Sequence, residues 1–174
     1  GREHSADEAL AALGQAEHHF RRLSIDLIYA RKDQTIDGWK DEIRQALDLG
    51  ITHMSVYQLT IEPGTVFFTR ARRGEVLTMD DDHAADLFEA TNQIMAEAGL
   101  PAYEISNHAK PGEECRHNLT YWRAGDWIGV GPGAHGRMDM HGGRRGLATR
   151  RSPASWLEQV ETEGHGIETI LEDG

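Results

Sequence analysis

The sequence predicts an α/β fold, and more narrowly the parallel-strand portion of a larger α/β barrel. Predicted helices and strands alternate along the chain, which is typical of β-α-β units with parallel strands. The alternation begins with a helix that has no strand before it. Three or four strands are too few to close a barrel, and an open sheet of that size would leave its edges exposed. We therefore expect a portion of a barrel rather than a closed domain.

Capping residues and apolar periodicity predict the first helices and strands. Ser5 and Glu8 have the spacing of a capping box, which predicts a helix over about residues 6–20. The apolar run at residues 23–29 predicts a buried strand. Thr35 caps a second predicted helix that ends near Gly50, and residues 53–59 form the second predicted strand.

The later elements follow the same signals. The clearest helix begins at Asp80–Asp82, whose carboxylates suit the positive end of a helix dipole, and Gly99 and Pro101 end it. Residues 102–106 and 127–130 predict a third and a short fourth strand. Pro153 opens a final amphipathic helix. In parallel barrels the functional groups gather at the C-terminal ends of the strands, so we expect the site there.

Composition excludes several classes of function. The formal charge of −11 argues against nucleic acid as the main partner, because binding phosphates requires a surplus of basic side chains. No apolar run approaches the ~20 residues that a membrane helix requires. Cys115 is the single cysteine, which predicts a reducing cytoplasmic compartment. One thiolate cannot hold an iron–sulfur cluster, which takes several.

Carboxylate and amide side chains lie at the predicted strand ends. Asp26 lies in an apolar strand, where an unpaired buried carboxylate would be costly. It either contacts a ligand or pairs with a buried partner, and we favour ligand contact. Glu104 and Asn107 raise the same question one strand later.

A mixed polar and aromatic group follows in the segment His117-Asn-Leu-Thr-Tyr-Trp122. The imidazole of His117 suits a haem iron ligand or a general acid, and the aromatic rings could line a flat ligand. The alternative is a structural loop whose histidine bonds a backbone carbonyl; His135 is open to the same two interpretations. Cys115 is interpreted as structural, because it and His117 alone make a poor metal site.

The segment Gly131-Pro-Gly-Ala-His-Gly136 matches the dinucleotide-binding pattern G-x-G-x-x-G in letters only. That pattern must open a helix after a strand, and the residues that follow have no helical apolar stripe. Two interpretations remain: the glycines let the backbone approach a ligand closely, or they form a tight turn that requires positive φ.

These motifs carry a family resemblance. His117-Asn-Leu-Thr-Tyr-Trp122, Gly129-Val-Gly-Pro-Gly-Ala-His135 and Ser55-Val-Tyr-Gln-Leu-Thr-Ile-Glu-Pro-Gly-Thr65 resemble the radical-SAM domain of the oxygen-independent coproporphyrinogen III oxidase-like proteins, and within them the haem chaperone branch. The resemblance implies an incomplete (β/α)6 TIM-like barrel that binds a [4Fe–4S] cluster and S-adenosylmethionine. In that family the three cluster cysteines lie in the first part of the domain. Residues 1–174 would then be its C-terminal part, which we do not expect to be active alone.

The resemblance also implies roles for individual residues. It assigns contacts with S-adenosylmethionine to Arg2, Asp26 and Thr60. It assigns haem binding to His117, Asn118, Tyr121 and Trp122, with His117 as the ligand of the haem iron, and cofactor binding to His135. One departure stands out: family members usually have Tyr-Gly-Leu-Pro-Gly-Gln where this chain has Tyr29-Ala-Arg-Lys-Asp-Gln34.

The sequence is compatible with three functions. The first is a protein that binds haem and delivers it to haem-accepting proteins. The second is an anaerobic coproporphyrinogen III dehydrogenase that uses S-adenosylmethionine. The third, independent of the resemblance, is a metal-dependent barrel hydrolase that uses Asp26, Glu104, His117 and His135.

Overall fold

The computed structural model describes residues 5–140 and 142–172 and has a mixed α/β architecture. The chain divides into two compact units, Gly1–Cys115 and Arg116–Gly174. No helix in the described ranges is both long enough and apolar enough to span a bilayer.

The first unit contains a three-stranded sheet and four helices in its described part. Its elements are α1 (Ala6–His19), β1 (Ser24–Tyr29), α2 (Ile36–Leu47), β2 (His53–Gln58), α3 (Val66–Arg72), α4 (Asp81–Glu97) and β3 (Asn107–Ala109). The sheet order is β1-β2-β3. Strand β1 pairs with β2 in parallel, as the sequence predicts for β-α-β units, whereas β3 pairs with β2 antiparallel.

Local signals explain the confirmed helices. The Ser5 side chain accepts a hydrogen bond from Glu8 N, and the reciprocal Glu8 bond completes the capping box of α1. Thr35 caps α2 through Gly38 N, and Asp80 caps α4 through His83 N. These three helices begin where the sequence predicts.

The core of the first unit lies between one face of its sheet and helices α2 and α4. Trp39, Ile43, Met54, Leu87 and Met95 are fully buried there. The indole N–H of Trp39 donates a 2.8 Å hydrogen bond to Thr91 Oγ1, so the largest core side chain has its polar atom satisfied. The opposite face of the sheet is left for polar side chains.

The predicted third strand is wrong in position and direction. Residues 103–106 form a bend, and Ala102 bridges antiparallel to His108 across it. The Glu104 carboxylate accepts hydrogen bonds from Ser106 N and Asn107 Nδ2, which stabilise the reversal. The chain therefore returns along β2 in the antiparallel direction.

The second unit is built on an antiparallel sheet that the sequence did not predict. Its elements are α5 (Arg116–Trp122), β4 (His135–Met140), β5 (Gly143–Thr149), α6 (Pro153–Glu163) and β6 (Ile167–Glu172), with sheet order β4-β5-β6. The predicted strand at 127–130 is reduced to a single bridge between Trp127 and Arg137. Helix α6 matches its predicted position, and buried Gln159 ties it to the sheet by donating to Ile167 O.

Candidate functional site

The free face of the first sheet carries a group of polar side chains, which we call the polar face: Ser24, Asp26, His53, Ser55 and Asn107. The strand register places Ser24 opposite His53, Asp26 opposite Ser55, and Ser55 opposite Asn107. Directly paired residues lie on the same side of a sheet, so these side chains share one face. Ile25, Leu27, Met54 and Val56 alternate with them and pack toward the core.

Buried His53 is hydrogen-bonded at both ring nitrogens. Its Nδ1 lies 2.7 Å from Ser24 Oγ, and its Nε2 lies 2.7 Å from the hydroxyl of Tyr103. Burial lowers the pKa of His53, the charge of Arg22 lowers it further, and Asp26 and Glu104 partly offset both effects. A neutral imidazole with one donor and one acceptor nitrogen suits these two hydroxyl partners.

Asn107 and Glu104 form an acceptor-rich corner of the polar face. Asn107 is 5% exposed, and its Nδ2 donates to Glu104 Oε1. Its Oδ1 is buried and has no hydrogen-bond partner among the described residues. A buried acceptor without a donor is costly in a finished structure, so this corner suits a ligand that donates hydrogen bonds.

Of the three residues expected to contact S-adenosylmethionine, one lies on strand β1, one lies in the segment after β2, and one is not described. Asp26 is exposed on the polar face in the middle of β1, so the burial cost that its sequence position suggested does not arise. Thr60 is exposed two residues after β2, and its hydroxyl donates to Glu62 Oε1 at 3.3 Å. Arg2 lies outside the described residues.

The loop after β1 keeps a glycine-like backbone without glycine. Ala30 has φ 63° and Asp33 has φ 60°. These are the positions of the two glycines in the pattern Tyr-Gly-Leu-Pro-Gly-Gln that the family resemblance implies as usual. Backbone bonds from Lys32 N to Leu77 O and from Met79 N to Ala30 O hold the loop against the segment before α4. The surrounding hydrogen bonds therefore impose the left-handed conformation on residues that disfavour it.

A cleft of about 820 Å³ lies beside β1 in the first unit. Residues of α1, β1 and α2 contribute to its wall, among them Leu10, Leu13, Ile25 and Ala46. Among the described residues, strand β1 has β2 as its one neighbour in the sheet, so its other edge is open. An open edge beside apolar side chains is a place where further polypeptide can pair.

In the second unit, three rings follow one another in what we call the aromatic row: His117, Tyr121 and Trp127. The ring centroids of His117 and Tyr121 are 4.7 Å apart, and those of Tyr121 and Trp127 are 4.5 Å apart. His117 and Tyr121 are one turn apart on α5, and the Tyr121 hydroxyl lies 3.2 Å from His117 Nε2. Both side chains are exposed, so the row is accessible to a ligand.

Two side chains that were not singled out from the sequence, Trp127 and Arg137, lie at the aromatic row, whereas other predicted residues have no ring contact with it recorded among the described residues. Trp127 completes the row, and the guanidinium carbon of Arg137 lies 5.6 Å from the centroid of the Trp127 ring. Neither was predicted, because their contacts depend on the pairing of residue 127 with residue 137. Trp122 is exposed and Asn118 is half-buried, and His135 begins β4. No ring contact recorded for the described residues joins Trp122 to the row.

The glycine-rich segment has a backbone explanation. A Cβ added at Gly129 would lie 2.2 Å from His135 O, because residues 127–129 and 135–137 cross closely. Gly131, with φ 103°, makes the turn between them. Of the two interpretations left open for residues 131–136, the tight turn accounts for Gly131 and for Gly133, which has φ 70°. Gly136 packs closely against the other backbone segment, because an added Cβ there would lie 3.0 Å from Gly129 N.

The hydrolase hypothesis requires a metal site, and the described part of the chain contains none. Asp26 and Glu104 belong to the first unit, whereas His117 and His135 belong to the second. Residues 5–140 and 142–172 contain no group of three or more His, Cys, Asp or Glu side chains arranged to hold a metal ion. Cys115 is a half-buried free cysteine whose N–H donates to the Tyr103 hydroxyl at 3.4 Å.

No protein-family model matches the chain, but individual relatives do. It is 37% identical over 171 residues to the mitochondrial "Radical S-adenosyl methionine domain-containing protein 1" of Bos taurus, covering 95% of this chain and 39% of the relative. It is 41% identical over 160 residues to "Heme chaperone HemW" of Escherichia coli K12, covering 91% of this chain and 41% of that protein. The HemW of Mycobacterium tuberculosis H37Rv is 42% identical over 140 residues, which cover 80% of this chain and 36% of the relative.

A solved structure matches the fold. It is described as "Coproporphyrinogen III oxidase (HemN) from Escherichia coli is a Radical SAM enzyme", and the TM-score is 0.73 at 18% sequence identity. The match covers 99% of this chain and 42% of the other. The chain thus spans about two fifths of the length of the curated relatives it matches.

Proposed function

Because this chain belongs, as a segment, to the family of the radical S-adenosyl methionine domain-containing proteins and the HemW heme chaperones, we propose that it binds haem and is part of a haem-delivery protein. The observation that carries this proposal is the aromatic row, in which His117 lies exposed beside Tyr121 and Trp127. The proposed partners are haem or a related porphyrin and the proteins that accept it.

The chemistry of the row supports haem as the ligand. A neutral imidazole is a common axial ligand of haem iron, and aromatic rings stack well against a flat macrocycle. In this proposal His117 binds the iron, while Tyr121 and Trp127 contact the ring. The Tyr121 hydroxyl lies 3.2 Å from Nε2 of His117 and holds the imidazole in one orientation, and in this proposal the iron replaces that contact when it binds Nε2.

We also propose that the first unit is part of an incomplete (β/α)6 barrel completed by other polypeptide. The open edge of β1, the apolar cleft beside it and the 39–41% coverage of the relatives support this architecture. Cys115 alone does not fit a [4Fe–4S] cluster, so in this proposal the cluster ligands lie outside the chain. This segment alone then has no radical chemistry.

The polar face supports a contact with S-adenosylmethionine in that longer protein. The Asp26 carboxylate is exposed there, and Asn107 Oδ1 is a buried acceptor without a donor among the described residues. Ribose hydroxyls and the amino group of S-adenosylmethionine are donors that such acceptors bind. Arg2 and Thr60 remain proposed contacts with the same molecule. The single cysteine supports a reducing compartment, for which we propose the cytoplasm.

Titration with haem tests the proposed function. We expect a red-shifted Soret band that saturates at one haem per chain when the 174-residue chain is titrated. Iron-free protoporphyrin, which cannot take an axial ligand, is the control and should bind more weakly. A Soret band that stays at the position of free haem throughout the titration would contradict the proposal.

A further inference from the structure

The arginine at the end of the aromatic row has a geometry suited to an anionic ligand. The guanidinium of Arg137 lies over Trp127, and the backbones of these two residues exchange N–H to O hydrogen bonds of 2.8 and 2.9 Å. A guanidinium that stacks on an aromatic ring keeps its N–H groups directed outward in the ring plane, where they can bind a carboxylate. Arg137 is exposed, so a ligand on the row can reach it.

The charge of the surrounding segment supports the same assignment. The whole chain has a formal charge of −11, yet residues 116–151 contain seven arginines, two aspartates and no lysine or glutamate. Several of these arginines bond to other parts of the second unit: Arg144 donates to Gly125 O at 2.6 Å, Arg145 donates to Arg144 O at 3.3 Å, and Arg150 donates to Gln159 Oε1 at 2.8 Å. A basic segment in an acidic chain favours an anionic ligand at this place over the rest of the surface.

Exposed apolar side chains flank the row in sequence. Trp122 is 57% exposed, Ile128 is 69% exposed and Val130 is 85% exposed. An apolar surface marks a binding site where exposed side chains form one contiguous patch, and these three lie close in sequence to the aromatic row. The ligand that fits this combination is flat and apolar, and it carries carboxylates at its rim.

We propose that Arg137 binds a carboxylate side chain of the tetrapyrrole that lies on the aromatic row. The ligand class is therefore a porphyrin with free carboxylates, and its orientation on the row is set by Arg137 at one end and His117 at the other. This inference rests on the proposed function, because it takes the row as the haem site.

The test compares haem with its dimethyl ester, in which both carboxylates are masked. The 174-residue chain, its Arg137→Ala variant and its Arg137→Lys variant are titrated with each pigment. Arg151→Ala is the matched control, since it removes the same charge from another exposed arginine of the second unit. We expect Arg137→Ala to bind haem about three- to tenfold more weakly and the ester with unchanged affinity. The lysine variant should recover part of the preference for haem over its ester.

The outcomes separate the two proposals. Failure of the unaltered chain to bind either pigment would overturn the proposed function and this inference with it. Equal affinity of the unaltered chain and Arg137→Ala for haem would overturn the carboxylate assignment alone. An equal loss of affinity for haem and for the ester in Arg137→Ala would also overturn the carboxylate assignment. The ester has no free carboxylate, so a loss that both pigments share cannot come from a contact between Arg137 and a carboxylate.

Discussion

His117 and Tyr121 lie one turn apart on α5, with the tyrosine hydroxyl 3.2 Å from His117 Nε2. The hydroxyl therefore contacts Nε2, the histidine nitrogen that most often binds haem iron. The contact has two consequences: it holds the imidazole in one orientation, and it must be replaced when Nε2 binds a metal. If His117 binds haem as proposed, the affinity depends on this single hydroxyl oxygen.

Removal of that oxygen should strengthen haem binding. The variant Tyr121→Phe keeps the ring contacts and releases Nε2, so we expect about two- to fivefold tighter binding of haem, the equivalent of one exposed hydrogen bond. Titration of the Soret band measures it. Tyr57→Phe removes the hydroxyl of another exposed tyrosine and serves as the control. Weaker binding by Tyr121→Phe would mean that the hydroxyl contacts the ligand instead.

Relief of backbone strain after β1 should stabilise the first unit. Asp33 is exposed at φ 60°, so Asp33→Gly loses no burial and gains conformational freedom where it is needed. We expect the free energy of unfolding in urea to rise by about 0.5–1 kcal/mol. Ala30 is less suitable for this test, because its buried methyl group would be lost.

The control for this variant is Asp48→Gly. Asp48 is exposed and has φ −63°, a conformation in which glycine brings no relief. We expect this substitution to be neutral or to destabilise the unit by about 0.5 kcal/mol. Destabilisation by Asp33→Gly equal to that of Asp48→Gly would contradict the strain at residue 33.

Two buried histidines should make the first unit less stable in mild acid. Burial is the main cause that lowers the pKa of both His53 and His108 below 6.5. Below about pH 6.5 the unfolded chain therefore binds more protons at these two histidines than the folded chain does. The free energy of unfolding therefore falls as the pH drops from about 6.5 toward the lowered pKa values. Above pH 6.5 both histidines are neutral in the folded and the unfolded chain, so they cause no loss of stability there.

One exposed histidine acts in the opposite direction. Hydrogen bonding to Asp80 raises the pKa of His83, so its contribution is present below pH 6.5 and is lost as the pH rises through the raised pKa. Because His83 and Asp80 are exposed, solvent weakens this effect.

Urea unfolding at pH 7.5 and 5.5 tests the role of the buried histidines. The difference in the free energy of unfolding between the two pH values should be smaller for His108→Gln than for the unaltered chain. An unchanged difference would exclude His108 as a source of the acid sensitivity.

Gly129 should not tolerate a side chain. The added Cβ would lie 2.2 Å from the backbone oxygen of His135, and two backbone hydrogen bonds between Trp127 and Arg137 hold the two segments together. We expect Gly129→Ala to lower the free energy of unfolding of the second unit by about 1–3 kcal/mol, measured by near-ultraviolet circular dichroism in urea. Gly14→Ala is the control: apart from neighbouring residues and the backbone of its own helix, no atom lies within 4 Å of an added Cβ, and in α1 this substitution should stabilise by up to about 1 kcal/mol. Equal stability of both variants would contradict the close crossing.

The sequence predicted those elements whose signals are local. Ser5, Thr35 and Asp80 cap helices where expected, and β1, β2 and α6 lie within a residue or two of their predicted positions. In each case a cap or an apolar period within the element determines its place.

The sequence did not predict what depends on distant contacts. Strand β5 contains two glycines and two arginines in seven residues, so no alternation of apolar and polar residues marked it as a strand. Residues 102–106 have the composition of a strand, yet Glu104 stabilises a bend. Similarly, His117 and Tyr121 were candidates from the sequence, whereas Trp127 and Arg137 join them through a bridge between separate segments.

The direct test of the central claim is the effect of His117→Ala on haem binding. Soret titrations of the unaltered chain, His117→Ala and His18→Ala should be compared, the last removing an exposed histidine from α1 in the other unit. We predict that His117→Ala loses the Soret shift and binds haem at least about tenfold more weakly, while His18→Ala behaves as the unaltered chain. An identical Soret band and affinity in His117→Ala would contradict the assignment of His117 as the iron ligand and the haem site built on it.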